Sequence, residues 1–283
     1  MTGRLPLFVP GSQLPRHQVR ARNFAATSDN KIHDDTVAKQ YGFAGGLVPG
    51  VTIYAYMTHP VVSALGRDWL AHGTMTVRLL KPFYEGELVD VRTTVGDGGS
   101  ALARLDVQAF NERQELCAVA TATLPSPPPA PPAVSGFPTA PLPASAPAVS
   151  EAGLAAVDVF GSLDVVYDAQ VKGARFLDEI EDPWGGYRGP GAAGHPGVLI
   201  RYANFILAEN FRLNPWIHVS SEVEHFALVH HGDHISIRAR RAGLFERKGH
   251  KFVELDVLMV ANGVTPVMRI RHAVIYDIRR ATP

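Results

Sequence analysis

The sequence has no excess of charge of either sign, because 27 lysine and arginine residues balance 27 aspartate and glutamate residues, and its pI is about 7.2. The net electrostatic field of the protein therefore favours neither nucleic acid nor an anionic membrane surface, and we expect neither as a partner. Long apolar runs are also missing, since none approaches the ~18 residues that a membrane span needs. The first 22 residues carry prolines and arginines where a signal peptide has its apolar stretch. These absences predict a cytoplasmic protein with small or neutral partners.

Cysteine is nearly absent as well. Cys117 is the single one, so no intramolecular disulfide can form, and it lies in an alternating segment typical of a β-strand. No base and no helix start adjoins it in the sequence. We therefore predict a buried packing residue rather than a nucleophile.

Proline, in contrast, is concentrated in one tract. Ten of the 22 prolines lie between residues 125 and 150, together with alanine and serine. Such a segment has no periodic apolar face to bury and is stiffened toward polyproline II, which is typical of a semi-rigid connector. The tract divides the chain into three predicted parts: residues 1–124, a linker over 125–150, and residues 151–283.

The two long parts repeat the same pattern in the same order. A Pro-Gly pair opens an apolar stretch, an alternating segment follows, and a glycine turn leads into the next alternating segment. The matched positions are Gly50 with Gly197, Gly86 with Gly232, and Asp106 with Asp256, at offsets of 147, 146 and 150 residues. This drift is what small loop insertions produce, so we predict a tandem duplication.

The pattern in each copy predicts an α+β unit with one long helix followed by three or four antiparallel strands. The apolar run after each Pro-Gly pair is hydrophobic around its whole circumference, so we expect the helix to be buried with the sheet curled about it. Proline is tolerated in the first helical turn, and glycine allows close approach to whatever binds there. Pro60 lies inside the first run and predicts a kink or an end to that helix.

Acid–base chemistry is indicated between Asp29 and Gly50 in the first copy. His33 lies among carboxylates and is followed, 17 residues later, by the predicted start of the buried helix. A histidine titrates near neutral pH, and a helix start offers unpaired N–H groups to a developing oxyanion. We expect Asp34 and Asp35 to cap a short helix from about Asp35 to Tyr41.

The run Asp29-Asn30-Lys31-Ile32-His33, with its glycine-rich approach to Pro49-Gly50, resembles the MaoC-like dehydratase and (R)-specific enoyl-CoA hydratase family. That family has an Asn-Pro-hydrophobic-His motif with a preceding aspartate. The resemblance covers most of the chain, because the second copy repeats the unit without the histidine motif. It implies a double hotdog fold, two tandem copies of a central helix wrapped by an antiparallel sheet, with an acyl-thioester site in the first copy.

The resemblance also implies roles for single residues. His33 takes the position of the catalytic histidine, and Gly50 that of the glycine whose N–H meets the thioester oxygen. The family places its aspartate two residues before the asparagine, which here is Ser28, whereas Asp29 directly precedes Asn30. Either Asp29 acts as the acid or the carboxylate has been lost. Asn30, Pro49 and Tyr54 are the expected substrate-binding residues.

Hydration or dehydration of an acyl thioester, 2-enoyl to 3-hydroxyacyl, is the activity that this resemblance implies. The substrate itself carries the CoA or phosphopantetheine group, so we expect no separate cofactor, and the partner is an acyl-CoA or an acyl carrier protein. Thioester hydrolysis on the same scaffold is one alternative. Another is a protein without catalysis that binds an acyl ligand or supports a partner enzyme. A monomer and a homodimer are both open.

Several histidines of the second copy form no recognisable metal motif. They are His218, His225, His230, His231 and His234. Their spacing differs from that of zinc sites, and a turn interrupts the set. We therefore expect no metal.

Overall fold

The structure is a computed structural model that describes residues 8–279. Within that range the α-helices are α1 (Asp35–Gln40), α2 (Gly50–His72), α3 (Glu151–Ala155), α4 (Ala174–Glu179) and α5 (Pro196–Asn210). The strands of the first half are β1 (His17–Arg20), β2 (Thr74–Leu79), β3 (Leu88–Val95), β4 (Ala103–Phe110) and β5 (Leu116–Leu124). Those of the second half are β6 (Leu163–Val166), β7 (Ile217–His225), β8 (His234–Arg247), β9 (His250–Ala261) and β10 (Thr265–Asp277).

All ten strands form one antiparallel sheet in the order β1-β3-β4-β5-β2-β7-β10-β9-β8-β6. Read outward from the middle, the two halves have the same connectivity, since β2, β5, β4, β3, β1 match β7, β10, β9, β8, β6. The halves join where β2 pairs with β7, from Thr74 opposite Glu224 to Arg78 opposite Ser220. The predicted duplication is therefore visible as a two-fold repeat within a single sheet.

The long helix of each half lies where the sequence predicts it. Helix α2 begins at Gly50 and α5 at Pro196, and both bury apolar side chains against the sheet. Pro60 was predicted to kink or end the first helix; it does not end it, because α2 continues to His72. Its interruption lies at Gly66, which has φ +61° and so adopts a conformation that glycine tolerates best.

The two central helices also touch each other, which brings the start of α5 close to α2. A Cβ atom placed on Gly197 would lie 2.6 Å from the Cβ atom of Ala55. Such a distance is far below van der Waals contact, so only glycine allows this approach. Both halves consequently share one apolar core instead of forming two independent ones.

The proline-rich tract lies against the second half. Its Phe137 is buried and packs against Leu258 and Val260 of β9, and its backbone oxygen accepts a hydrogen bond from Arg238 of β8 at 3.2 Å. This contact explains how a segment with few apolar side chains keeps a defined path. The domain boundaries at residues 124 and 150 stay a prediction.

Cys117 lies in β5 and is buried, as predicted for a packing residue. Burial raises the pKa of its thiol to about 11, so the thiolate is scarcely populated at neutral pH. Within residues 8–279, no helix combines the length and apolar character that a membrane crossing demands.

Candidate functional site

Asn30 organises the turn that carries His33. Its side-chain oxygen accepts hydrogen bonds from the Ile32 N–H at 3.3 Å and the Trp216 N–H at 3.1 Å. Its amide nitrogen donates to the Trp216 carbonyl at 3.0 Å and lies 3.2 Å from Nε2 of His33. The short 3₁₀ helix Lys31–His33 is thus capped by Asn30 and fixed to the second half. Asn30 orients the histidine rather than offering a free group.

The ring of His33 has a defined tautomer. Its Nδ1 lies 2.7 Å from the Leu47 carbonyl oxygen, which can only accept, so Nδ1 carries the proton. Nε2 therefore has a lone pair, toward which the Asn30 amide points. Burial lowers the pKa of His33 below its ordinary value, and the bond to Leu47 opposes part of that effect. The ring is neutral at neutral pH.

The backbone of His33 is held equally tightly. Its carbonyl oxygen accepts from the side-chain amide of Asn23 at 2.8 Å, and Gly46 passes so close that a Cβ there would lie 2.1 Å from this oxygen. Helix α1 supports the same loop as predicted: Asp34 accepts from the Val37 N–H at 2.9 Å, and Asp35 from the Gly46 N–H at 2.7 Å. Asp34 is the predicted cap of α1, whereas the capping role predicted for Asp35 is wrong, because Asp35 is the first residue of the helix and holds the Gly46 loop instead. Neither aspartate hydrogen-bonds the His33 ring.

Helix α2 begins without a cap. Pro49 occupies the N-cap position and has no side-chain hydrogen bond to offer. Among the described residues, no acceptor is present for the N–H of Gly50 or Val51. A Cβ on Gly50 would lie 2.3 Å from Cδ1 of Leu79 and 2.8 Å from Nδ1 of His218, so the position requires glycine. The result is a crowded helix start with unpaired donors.

Two cavities meet at this helix start. The smaller one, called the inner cavity below, has a volume of about 220 Å³. Its walls are mostly apolar side chains such as Ile53, Leu79 and Phe83, together with Gly50 and His218. The outer one, of about 820 Å³, is more polar and contains Asp29, Arg201 and Arg212. The wall between them is formed by residues that line both, namely Asn30, His33, Pro49, Asn204 and Trp216.

The other two predicted site residues differ in their position. Asp29 is exposed on the wall of the outer cavity, and its carboxylate makes no hydrogen bond with the residues that the structure describes. Tyr54 lies fully buried in the core and lines neither cavity. The structure thus brings together His33, Gly50, Asn30 and Pro49 from the predicted set, and leaves Tyr54 as a core residue.

Known structures with this architecture span nearly the whole chain. A protein from Chloroflexus aurantiacus, described as a MaoC domain dehydratase, superposes with a TM-score of 0.67 at 12% identity, covering 97% of each chain. A conserved protein of Mycobacterium tuberculosis with a double hotdog fold gives 0.63 at 18% identity, over 95% of this chain and 96% of that one. The chain has the double hotdog fold.

Other hotdog proteins are more distant. An acyl-ACP thioesterase from Bacteroides thetaiotaomicron superposes with a TM-score of 0.52 at 12% identity, over 92% of this chain and 97% of that one. No protein-family model and no curated protein matches the sequence. Identities this low establish the shared fold, and the chemistry has to be argued from the residues of this chain.

Three residues of the site escaped the sequence reasoning. Trp216 and Asn204 have no motif, and they reach the site only because the second half packs against the first. His218 offered one usable signal, because it is a histidine within the alternating segment that predicts β7, and in the structure it is 4% exposed. A polar side chain on the inward face of a strand is unusual enough to suggest a role.

Proposed function

We propose that this protein adds water to, or removes it from, an acyl thioester whose acyl group lies in the inner cavity. The observation that carries this proposal is the uncapped start of α2, which opens beside the lone pair on Nε2 of His33 at the edge of an apolar chamber. Unpaired backbone donors favour negative charge, and a neutral imidazole accepts protons. Those are the two demands of chemistry at the carbon atoms next to a thioester carbonyl.

In hydration, the carbonyl oxygen of a 2-enoyl thioester accepts a hydrogen bond from the N–H of Gly50. As the water oxygen bonds to the β carbon, the electrons of the double bond move toward that carbonyl, and the helix start stabilises the enolate. One proton of that water passes to a neutral imidazole that lines the inner cavity and from there to the α carbon, while the buried, neutral ring of His33 bounds the site of the water. Dehydration of a 3-hydroxyacyl thioester follows the same steps in reverse.

The outer cavity suits the carrier arm. Arg201 lies between the rings of Phe176 and Phe205, at 5.7 Å and 5.6 Å from their centres, and forms no ion pair with any residue in the described range. Glu179 is the carboxylate that acts on this guanidinium, and it is paired with Arg175 at 2.7 Å, so half-buried Arg201 can still bind an anion such as a phosphate. We infer that the phosphates of CoA or of a phosphopantetheine arm lie here, with the acyl chain passing His33.

Turnover of crotonyl-CoA tests the proposal. Hydration removes the enoyl absorbance without releasing a thiol, and His33→Gln should lower kcat about 10²- to 10⁴-fold. His72→Gln is the matched control, because His72 is exposed at the far end of the same helix and should leave kcat unchanged. Equal activity of wild type and His33→Gln would contradict the role of His33.

Thioester hydrolysis is the second candidate, favoured by the likeness to the acyl-ACP thioesterase. The same experiment separates the two reactions, because hydrolysis releases free thiol from both crotonyl-CoA and saturated acyl-CoA. A third outcome is binding without turnover, which the exposed position of Asp29 favours. It would appear as a rise in Tm with butyryl-CoA and no product.

A further inference from the structure

A chain of buried polar side chains leads from the inner cavity into the second half. Nε2 of His218 lies 2.9 Å from Oγ of Ser221, which lies 2.8 Å from Nδ1 of His272. Nε2 of His272 lies 2.7 Å from Oδ1 of Asn204 on α5. The two histidine rings stack with their centres 4.2 Å apart. A buried polar chain of this length requires a reason, since each member loses its hydration.

A β-bulge builds this arrangement. The register between β7 and β10 shifts at Ala273 and Val274, so His272 pairs with Ser221 whereas Val274 pairs with His218. Residues three apart on a regular strand point to opposite faces, but the extra residue turns His218 to the same face as Ser221. The distortion brings His218 to the wall of the inner cavity, next to Gly50.

The direction of the hydrogen bonds follows from Asn204. Its Oδ1 can only accept, so Nε2 of His272 donates to it and Nδ1 of His272 accepts from the Ser221 hydroxyl. Ser221 in turn accepts from Nε2 of His218. Nδ1 of His218 is therefore left with a lone pair. This nitrogen is buried and has no hydrogen-bond partner among residues 8–279.

The lone pair of His218 and that of His33 differ in one respect. Nε2 of His33 already accepts a hydrogen bond from Asn30, whereas Nδ1 of His218 is unengaged. No carboxylate hydrogen-bonds the His33 ring among the described residues, and Asp29 lies exposed on the outer cavity. Burial lowers the pKa of His218 to about 4, so its ring is neutral and its lone pair available at neutral pH.

We propose that His218, contributed by the second half, is the residue that carries the proton between water and the α carbon. This assignment rests on the hydratase or dehydratase function proposed above. Ser221 and His272 act as positioning residues that hold the His218 ring and stabilise its charged form. Leu79 lies beside the same spot, so access of a ligand to the buried Nδ1 requires this flexible side chain to move aside.

Each proton has a place in this scheme. Nδ1 of His218 takes one proton from water as the O–H bond breaks and the water oxygen bonds to the β carbon. The electron pair of the double bond moves to the thioester carbonyl oxygen, held by the Gly50 N–H. The enolate then re-forms the carbonyl while the α carbon takes the proton from Nδ1. His218 ends neutral, and the 3-hydroxyacyl thioester leaves.

The test uses crotonyl-CoA with His218→Gln, which keeps an amide near Ser221 but removes the basic Nδ1. We expect kcat to fall about 10²- to 10⁴-fold with little change in KM, and Ser221→Ala to cause a smaller fall in kcat. His225→Gln is the matched control, because His225 is equally buried on β7, also has an unpaired ring nitrogen, and lines neither cavity. Its kcat should match wild type.

A second measurement does not depend on turnover. In long-range ¹H–¹⁵N spectra of the whole protein, Nδ1 of His218 should have the shift of an unprotonated nitrogen and should move on addition of butyryl-CoA, while the His225 resonances stay in place. Wild-type kcat in His218→Gln, with loss of activity in His33→Gln, would overturn this inference alone. Neither turnover nor binding of thioesters by the wild type would overturn the proposed function and this inference together.

Discussion

The starts of the two central helices differ although their surroundings are duplicated. In the second half, His195 is the N-cap of α5, and its Nδ1 accepts a hydrogen bond from the Gly197 N–H at 2.9 Å. In the first half the N-cap of α2 is Pro49, which has no side-chain hydrogen bond to give. One helix start is thus satisfied from within the protein, and the other has unpaired donors among the described residues.

The loops that face these helix starts differ in the same sense. Asp182 of the second half is buried and accepts hydrogen bonds from Nε2 of His195 at 3.3 Å, Nδ1 of His59 at 2.9 Å and the Trp184 N–H at 2.9 Å. Burial alone would raise the pKa of Asp182, but these donors outweigh it and hold the pKa below the usual range. Each of these groups is hydrogen-bonded within the protein, whereas His33 lies on the wall shared by the two cavities.

The two copies of the duplicated unit therefore differ in which backbone donors they leave unpaired. The second copy, which forms part of the cavity wall, fills its helix start with an internal cap, whereas the first copy leaves its own helix start uncapped. The wall still contributes Trp216, Asn204 and His218 to the cavities of the first copy. Four predictions test this difference between the two copies.

Acidification should weaken the second half most. Burial lowers the pKa of His218 to about 4 and of His225 to about 3, and places that of His272 well below its ordinary value. Between pH 6.5 and these values the unfolded chain binds more protons than the folded one, so stability falls as pH falls. Each such histidine should cost about 2 kcal/mol of unfolding free energy between pH 7.5 and pH 5.

Urea unfolding at a series of pH values measures this loss. Asp182 does not contribute to the loss of unfolding free energy in this pH range, because its lowered pKa removes stability only below about pH 3.8. His225→Phe should reduce the acid-induced loss of unfolding free energy by the amount that one buried histidine contributes. A flat stability profile between pH 7.5 and pH 5 would contradict the buried neutral histidines.

Removing the buried carboxylate should be the next largest effect. Asp182→Ala leaves two histidines and a backbone N–H without their acceptor, and we expect a loss of about 3 kcal/mol in the free energy of unfolding. Asp178→Ala removes an exposed carboxylate paired with Arg188, and should cost less than about 1 kcal/mol. Equal urea midpoints for the two variants would show that the closed loop of the second half contributes no special stability.

Filling the open helix start should cost less stability but more activity. The new methyl group in Gly50→Ala would overlap Leu79 and His218, so we expect a loss of about 2 kcal/mol and a strong fall in the kcat for crotonyl-CoA. Gly136→Ala is the control, since nothing lies within 4 Å of its added methyl group. An active Gly50→Ala enzyme would argue against oxyanion binding at this helix start.

The smallest effect should come from Asp29→Asn. Its carboxylate is exposed and makes no hydrogen bond within the described part of the chain, so the variant should keep the stability and the kcat of the wild type. The measurement is the same crotonyl-CoA assay. A large fall in kcat would return the acid–base role to Asp29 and weaken the assignment to His218.

Much of the architecture could be predicted from local patterns. The apolar runs after the Pro-Gly pairs predicted α2 and α5, and Asp34 was correctly predicted as a cap, whereas Asp35 is the first residue of the short helix. Gly50 was singled out because a helix start needs room for a ligand. These features depend on neighbours within a few residues, and their physics is contained in the chain itself.

The site depends on contacts that no local pattern encodes. Asn30 and Trp216 lie 186 residues apart in the chain, yet their hydrogen bonds fix the turn that bears His33. A bulge in β7 turns His218 inward, and the choice between a capped and an open helix start rests on how each loop packs. Sequence alone determined the duplicated helix-and-sheet unit, because periodicity and turn chemistry act over short distances. Joining the halves determined which side chains face the cavity, because burial and pairing across the sheet exist only once the chain has folded.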